Sequence, residues 1–227
     1  DIVTSATTEE IVKLFENDHK VDLVGGSFQV VMIDGVEVAS YRKDTYKDGK
    51  CVAITAKNIY EDLDRRDFTV NAMAIPINLF GQHEYIIDPH NGELDLLDRK
   101  VKFIGNPYDR IDEDPLRIVR GCRFAAAIEG TIDNESVRAM KEKSYLLTEI
   151  PPERFRLEIL KAMKTKYPSI FFNALLMVDA LDFILPGFFD SVDHDHGPYH
   201  GEYIYDHLMI AGDQVSGRCP LTRLATY

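Results

Sequence analysis

The first 90 residues alternate short apolar runs with polar turns, a pattern typical of a mixed α/β domain. Thr7 and Glu10 form a capping-box pattern, which predicts that a helix begins there. Apolar runs of strand length follow, and Asp34-Gly35 between two of them predicts a two-residue hairpin turn. The predicted strands are Val21–Val24, Phe28–Ile33 and Val36–Tyr41.

The pattern changes from mixed to helical along the chain. A short helix is predicted at Ile59–Asp64, and the apolar segment Phe68–Pro76 is predicted to be a buried strand. The turn cluster at residues 88–92 indicates a domain boundary. Beyond it apolar residues recur at helical spacing, so the chain as a whole is predicted to be α+β. Further helices are predicted near residues 107–112, 115–128, 133–145, 151–165, 168–178 and 203–213.

Composition sets wide limits on the class of protein. The chain has 227 residues, of which 45% are hydrophobic, enough for a core and two or three subdomains. No run of about 18 apolar residues indicates a membrane span, and no signal-peptide pattern opens the chain. Three cysteines far apart, without metal-ligand spacing, fit a reducing cytoplasm: Cys51, Cys122 and Cys219.

The charge is distributed unevenly along the chain. The net charge of −12 argues against a coat of nucleic acid over the whole surface. Residues 99–166 nevertheless carry 15 basic and 11 acidic residues, whereas the remainder carries 11 basic and 27 acidic ones. This basic middle is compatible with local phosphate binding, but taken alone it is better explained by ordinary charged helix surfaces.

Two carboxylates that accept hydrogen bonds stand close in sequence to a guanidinium that donates them, in the stretch Glu113-Asp114-Pro115-Leu116-Arg117. We expect residues 112–114 to cap a helix and Pro115 to occupy its first turn. Residues three and four apart on a helix are neighbours, so Arg117 is predicted to lie beside both Asp114 and Glu113. The simplest interpretation is a salt bridge at a helix start.

The same donor and acceptor match the pairing edge of certain bases. Adenine and cytosine present an amino donor next to a ring-nitrogen acceptor, whereas guanine and uracil present the reverse order. A carboxylate only accepts hydrogen bonds and a guanidinium only donates them. Fixed Asp114 and Arg117 side chains would therefore admit A and C, and they would leave buried groups unpaired against G and U at roughly 1–3 kcal/mol per group.

A second polar constellation lies at the start of the segment RRDFTVNAMA. Arg65 and Arg66 stand between a predicted helix and an apolar segment, and guanidinium groups suit phosphate and ribose oxygens. Asp67 and Asn71 have the chemistry to address sugar hydroxyls. The alternative is a buried ion pair that joins helix to strand.

RRDFTVNAMA and, about 40 residues later, EDPLRIVRGCRFAA resemble two signatures of the bacterial-type tRNA nucleotidyltransferase and poly(A) polymerase family. The family includes the second class of CCA-adding enzymes, and the resemblance covers nearly the whole chain. It implies a polymerase-β-like head at residues 1–89, lacking its first strand and part of its metal site. A helical neck with the base-reading motif would follow at 90–150, and the start of a helical, HD-like body at 151–227.

The resemblance also implies an activity. Such enzymes transfer CMP or AMP from CTP or ATP to the 3′ end of tRNA without a template, using two Mg²⁺ ions. Asp1 resembles the second aspartate of the metal-binding pair, and Glu37 resembles a further catalytic carboxylate. Because the first aspartate would precede Asp1, we expect the chain as given to be catalytically crippled.

The resemblance assigns the remaining site residues. Arg65, Arg66, Asp67 and Asn71 match the segment that contacts ribose and triphosphate. Asp114 and Arg117 would read the base while Glu113 holds Arg117, and Arg120 would reach phosphates. Arg123 is equally well explained by packing against acidic neighbours. The weaker RNA-binding candidates are Arg110, Arg123, Arg154 and Lys161.

Several alternatives stay open at this stage. A-adding, CC-adding and polyadenylating relatives share these motifs and differ in a flexible head loop, which we expect within residues 44–57. A non-catalytic RNA- or nucleotide-binding module, or a head that accompanies an HD phosphohydrolase, is the alternative of another class. His194, His196, His200 and His207 form no complete metal-ligand set, so this region is predicted to be a polar loop.

Overall fold

The computed structural model describes residues 2–25, 30–47, 50–77, 85–195, 197 and 203–227, with the backbone alone at 44–47 and 50–53. Two compact units are present, Asp1–Arg66 and Asp67–Tyr227. They combine strands with helices, which confirms the predicted α+β class. The division between the units falls before Asp67, and the three-domain assignment with boundaries near 90 and 150 stays a prediction.

The first unit is built on a four-stranded sheet with the strand order β1-β4-β3-β2. Strands β1 and β4 are parallel, with Ile2 opposite Val38, and the other neighbours are antiparallel. Helix α1 places Ile11 among buried valine and isoleucine side chains of the sheet. The bounds are β1 Ile2–Thr4, α1 Thr8–Phe15, β2 Val21–Val24, β3 Val30–Ile33 and β4 Val36–Ser40.

Local sequence signals in this unit are confirmed. The hydroxyl of Thr7 accepts the N–H of Glu10, and the carboxylate of Glu10 accepts the N–H of Thr7, so the capping box is complete. Asp34 and Gly35 both have positive φ angles, 50° and 87°, as a two-residue hairpin turn of the primed type requires. The predicted start of β3 at Phe28 lies outside the described residues.

The flexible loop expected within residues 44–57 is largely a β-hairpin. Strand β5, Arg42–Lys47, pairs antiparallel with β6, Lys50–Thr55. Thr45, Val52 and Thr55 are β-branched residues, which favour extended pairing over an irregular loop. Helix α2, Ile59–Asp64, follows with the bounds predicted from the sequence.

The strand predicted at Phe68–Pro76 is wrong. Phe68 is fully buried, as expected, but Thr69–Asn71 form a 3₁₀ turn. Only isolated bridges join this segment to its neighbours, Phe68 with Phe103 and Ala74 with Ile87. An apolar run shows that a segment is buried, but not which backbone conformation it takes.

The second unit is mainly helical, and the helices predicted from residue 107 onward are present. A short parallel pair, β7 Lys100–Val101 with β8 Thr131–Ile132, lies among them, and it was not predicted. Among the described residues no helix is long and apolar enough to cross a membrane. The helices are α3 Gly92–Leu97, α4 Pro107–Glu113, α5 Leu116–Ala127, α6 Asn134–Lys143, α7 Pro152–Ala162, α8 Ser169–Met177, α9 Leu181–Ile184, α10 Ile204–Gln214 and α11 Pro220–Leu224.

Helix α5 is the centre of this unit. It packs against α7 and α8, and Ile118, Val119, Cys122 and Ala126 are completely buried. Its three arginines recur every third residue, so they share the side of the helix that is less buried. The core therefore orients a row of cations, Arg117, Arg120 and Arg123.

Arg223 is a buried cation in a structural role. Its side chain is almost inaccessible to solvent. Its guanidinium donates to five backbone carbonyl groups, three just after the C-terminal end of α7 and two in the last turn of α10. The C-terminal carbonyls of a helix lack partners within the helix, so Arg223 satisfies groups that burial would otherwise leave unpaired. The acceptors are the carbonyl groups of Met163, Thr165, Lys166, Gly212 and Asp213.

We expect Arg223→Met to lower the free energy of unfolding by roughly 3 kcal/mol or more, because several buried carbonyls lose their donor. Guanidinium denaturation followed by far-ultraviolet circular dichroism measures the change. Arg218→Met alters an exposed arginine nearby and should shift stability by about 0.5 kcal/mol at most. Equal stabilities of the two variants would contradict the structural role.

Candidate functional site

The stretch from Glu113 to Arg117 spans a break between two helices, in agreement with the separate helices predicted near residues 107–112 and 115–128. Helix α4 ends at Glu113, and α5 begins at Leu116. Asp114 between them is extended, with φ −155° and ψ 102°. Proline disfavours the helical conformation of the preceding residue, so Pro115 accounts for the break.

Arg117 is held by groups of helix α4 across this break. Its Nη1 donates to the carboxylate of Glu113 and, at 2.8 Å, to the carbonyl of Arg110. Only 13% of the Arg117 side chain is exposed. The predicted contact between Glu113 and Arg117 is present, and it joins helix α4 to helix α5.

Glu113 is ionised between two arginines. Arg110 contacts the same carboxylate at 3.1 Å. Burial favours the neutral acid, but the hydrogen bond from Arg117 and the charges of Arg110 and Arg117 outweigh it and hold the pKa of Glu113 below its ordinary value. The carboxylate is therefore an acceptor that fixes the guanidinium of Arg117.

Asp114 has other side-chain partners. Its Oδ1 accepts the N–H of Leu116 at 3.2 Å, and its Oδ2 accepts Nη2 of Arg154 at 2.9 Å. Arg117 is adjacent through the main chain, since its N–H donates to the Asp114 carbonyl at 3.0 Å. Sequence spacing predicted Arg117 beside the side chain of Asp114, and it missed the contribution of Arg154.

Asp67, Asn71 and Arg120 form a second cluster, which joins the two sequence motifs. Asp67 Oδ2 lies 2.6 Å from Nη2 of Arg120, an ion pair without the alignment of a hydrogen bond. Asp67 Oδ1 accepts the N–H of Phe68 at 3.0 Å and Nδ2 of Asn71 at 3.3 Å. Arg120 keeps 38% of its side chain exposed, so it has donors on the surface as well as a buried partner.

Arg65 and Arg66, which belong to the first unit, pair with a residue that the sequence analysis did not select. Their guanidinium groups lie 2.8 and 3.2 Å from the completely buried carboxylate of Asp62. Burial opposes the charge of Asp62, but the Arg42 N–H and Arg65 outweigh it, so its pKa is lowered. Asp62 lies in α2, three and four residues before the two arginines, and this helical spacing was the available signal.

Arg123 and Lys161 both form ion pairs with the buried carboxylate of Glu158. Nε of Arg123 is 2.5 Å and Nζ of Lys161 is 3.1 Å from the carboxylate of Glu158. Burial raises the pKa of Glu158, but the charge of Arg123 and the hydrogen bond and charge of Lys161 more than offset it, and the pKa is lowered. Of the two alternatives for Arg123, the structure shows packing against an acidic neighbour.

The two carboxylates predicted to take part in catalysis, Asp1 and Glu37, belong to the residue range of the first unit. Glu37 is exposed on β4, and the residue after it, Val38, pairs with Ile2. Asp1 lies outside the described residues, as do His196 and His200. Within the part of the chain that the structure describes, no three His, Cys, Asp or Glu side chains form a group that could hold a metal ion.

Two family models match most of the chain. The model described as "Poly A polymerase head domain" matches residues 1–102. The model described as "Probable RNA and SrmB- binding site of polymerase A" matches residues 131–191. The base-reading candidates at 113–117 lie between the two matches.

Similar proteins include a CCA-adding enzyme of Streptococcus thermophilus, 31% identical over 219 residues, which covers 95% of this chain and 53% of that protein. A CCA-adding enzyme of Enterococcus faecalis is 36% identical over 167 residues, or 72% of this chain and 40% of that protein. The chain thus spans about half the length of the curated relatives it matches.

The fold is also similar to a solved structure, the Bacillus stearothermophilus CCA-adding enzyme in complex with CTP. The TM-score is 0.67 at 28% identity, over 82% of this chain and 44% of that one. Head and RNA-binding matches therefore occur in order along one chain, with CCA-adding enzymes as sequence and structural relatives. The chain belongs to the bacterial-type tRNA nucleotidyltransferase and poly(A) polymerase family.

Proposed function

We propose that the chain is part of an enzyme that transfers CMP and AMP from CTP and ATP to the 3′ end of tRNA without a nucleic-acid template. Relatives named CCA-adding enzymes and a solved relative with bound CTP support this function. The observation that carries it is the pair of fixed groups at the α4–α5 break, a guanidinium held by Glu113 and a carboxylate held by Arg154.

Both groups keep free hydrogen-bonding capacity for a base. The contacts described for Arg117 use Nη1, so Nη2 can donate to the ring nitrogen of adenine or cytosine. Each oxygen of Asp114 has one described donor, which leaves a lone pair to accept the amino group of the base. Guanine and uracil would place a ring N–H against the Arg117 guanidinium, which only donates, and a carbonyl oxygen against the Asp114 carboxylate, which only accepts.

The remaining motif residues are proposed to hold the rest of the nucleotide. Asp67 and Asn71 would bind ribose hydroxyls, and Arg120, Arg65 and Arg66 would bind phosphate oxygens. The buried acids beside these arginines fix the guanidinium groups before a ligand arrives. Lys161 is the most exposed of the weaker RNA-binding candidates, whereas Arg110 and Arg123 are largely committed to Glu113 and Glu158.

Mg²⁺ is proposed as the metal, because carboxylate oxygens are its preferred protein ligands. Asp1 is the residue proposed to hold it, with Glu37 as a further catalytic carboxylate near the metal, and bound Mg²⁺ would stabilise the charge of the transferring phosphoryl group. Of these two carboxylates, Glu37 is the one that lies among the described residues. We also propose a cytoplasmic location, and a head, neck and body at residues 1–89, 90–150 and 151–227.

The activity is tested by incubating the natural full-length protein with tRNA that ends before, within or after CCA, and with one labelled nucleotide at a time. We expect incorporation of C and A and none of G or U. Repeated A addition would indicate a poly(A) polymerase, and stopping after CC or requiring CC would indicate a CC- or A-adding relative. Nucleotide binding without incorporation would indicate a non-catalytic module and contradict the proposal.

Variants of the base-reading pair test the recognition itself. Asp114→Ala and Arg117→Ala should each reduce the preference for CTP over UTP by about 5- to 150-fold, since each removes a contact worth roughly 1–3 kcal/mol. The ratio of kcat/KM for the two nucleotides measures the effect. Arg138→Ala, which removes an exposed arginine of α6, is the control. Unchanged selectivity in both site variants would show that the pair has only a structural role.

A further inference from the structure

Arg154 contacts the proposed base-reading carboxylate from a distant part of the chain. It lies in the first turn of α7, 40 residues after Asp114, and its Nη2 donates to Asp114 Oδ2 at 2.9 Å. The other oxygen of Asp114 accepts the N–H of Leu116 at 3.2 Å. Two donors, one on each oxygen, define the plane of the carboxylate.

Helix α7 presents Arg154 from a fixed position. Phe155 and Ile159 of this helix are buried in the same core as α5. Glu158 of α7 also pairs with Arg123 of α5, at 2.5 Å. Since the helix is anchored to α5 by apolar packing and by an ion pair, Arg154 is held on the same scaffold that carries Arg117.

The hydrogen bond from the Leu116 N–H alone would not fix the orientation of the Asp114 carboxylate. A single hydrogen bond to Oδ1 permits rotation about the side-chain torsions of Asp114, and Oδ2 then has no fixed direction. Selection between bases requires the free lone pair to point at the position of the amino group, because specificity comes from an acceptor in a defined place. Arg154 supplies the missing constraint.

We propose that Arg154 is a positioning residue that orients the carboxylate of Asp114 and thereby contributes to the selection of A and C over G and U. This inference rests on the proposed function, and it assigns Arg154 a role different from a contact with the RNA backbone. The pair is partly exposed, 45% at Arg154 and 29% at Asp114, so it contributes little to stability. Its effect is on recognition.

The test compares kcat/KM for CTP and UTP in the natural full-length protein, using tRNA that ends before CCA. Arg154→Ala should lower the CTP preference by about tenfold, the factor that corresponds to about 1.4 kcal/mol. Arg154→Lys keeps a cationic donor and should restore part of the preference. Arg156→Ala removes an exposed arginine of the same helix, and it should match the wild type.

A double variant shows whether Arg154 acts through Asp114. In an Asp114→Ala background, the further change Arg154→Ala should alter the CTP preference by less than about twofold, because the group that it orients is absent. Affinity for tRNA and the melting temperature should stay at the values of the matched controls. A phosphate contact would instead weaken tRNA binding and reduce its dependence on salt.

The outcomes separate the two proposals. A wild-type protein that shows no preference for CTP over UTP contradicts the proposed function, and this inference with it. A wild type that prefers CTP, together with an Arg154→Ala variant that keeps the preference, overturns the inference alone. Additive effects of the Asp114 and Arg154 changes, or a loss of tRNA affinity equal to the loss of selectivity, would overturn it as well.

Discussion

The conformation imposed by Pro115 on the preceding residue determines the geometry of the candidate site. Because Asp114 is extended, α4 ends at Glu113 and α5 begins at Leu116. Glu113 and Arg117 then face each other from two helices, and the Asp114 carboxylate is directed to Leu116 and Arg154. In a continuous helix, the Arg117 guanidinium and the Asp114 carboxylate would lie three residues apart and would pair with each other instead of with a ligand.

Ion pairs with carboxylates fix the positions of the arginine side chains at the candidate site. Four carboxylates, all largely buried, contact motif arginines: Asp62 with Arg65 and Arg66, Asp67 with Arg120, Glu113 with Arg110 and Arg117, and Glu158 with Arg123. A buried charge is costly unless it is paired, so each acid requires its arginine. In return each guanidinium is fixed, which lowers the entropy lost when it binds phosphate or base.

Predictions from local signals were confirmed, and those that needed distant partners were not. The capping box of Thr7 and the hairpin at Asp34 depend on residues within a few positions, so the pattern alone was sufficient. Phe68–Pro76 was misassigned because whether a buried apolar segment pairs as a strand depends on other segments of the chain. The hairpin within residues 44–57 pairs adjacent segments, and the expectation of a loop there came from the family resemblance and not from the local pattern. The helix break and the contact of Glu113 with Arg117 were both foreseen from the sequence, whereas the partner of the Asp114 side chain, Arg154, was not.

The sequence by itself determined the candidate chemistry and the family. RRDFTVNAMA and EDPLR carry the carboxylates and guanidinium groups at characteristic spacing, and both properties are local to the chain. Tertiary structure decided which of these groups meet. Asp114 pairs with Arg154 and Arg123 with Glu158, 40 and 35 residues apart. Only the packing of α7 on α5 brings these side chains within hydrogen-bonding distance, and no local pattern specifies that packing.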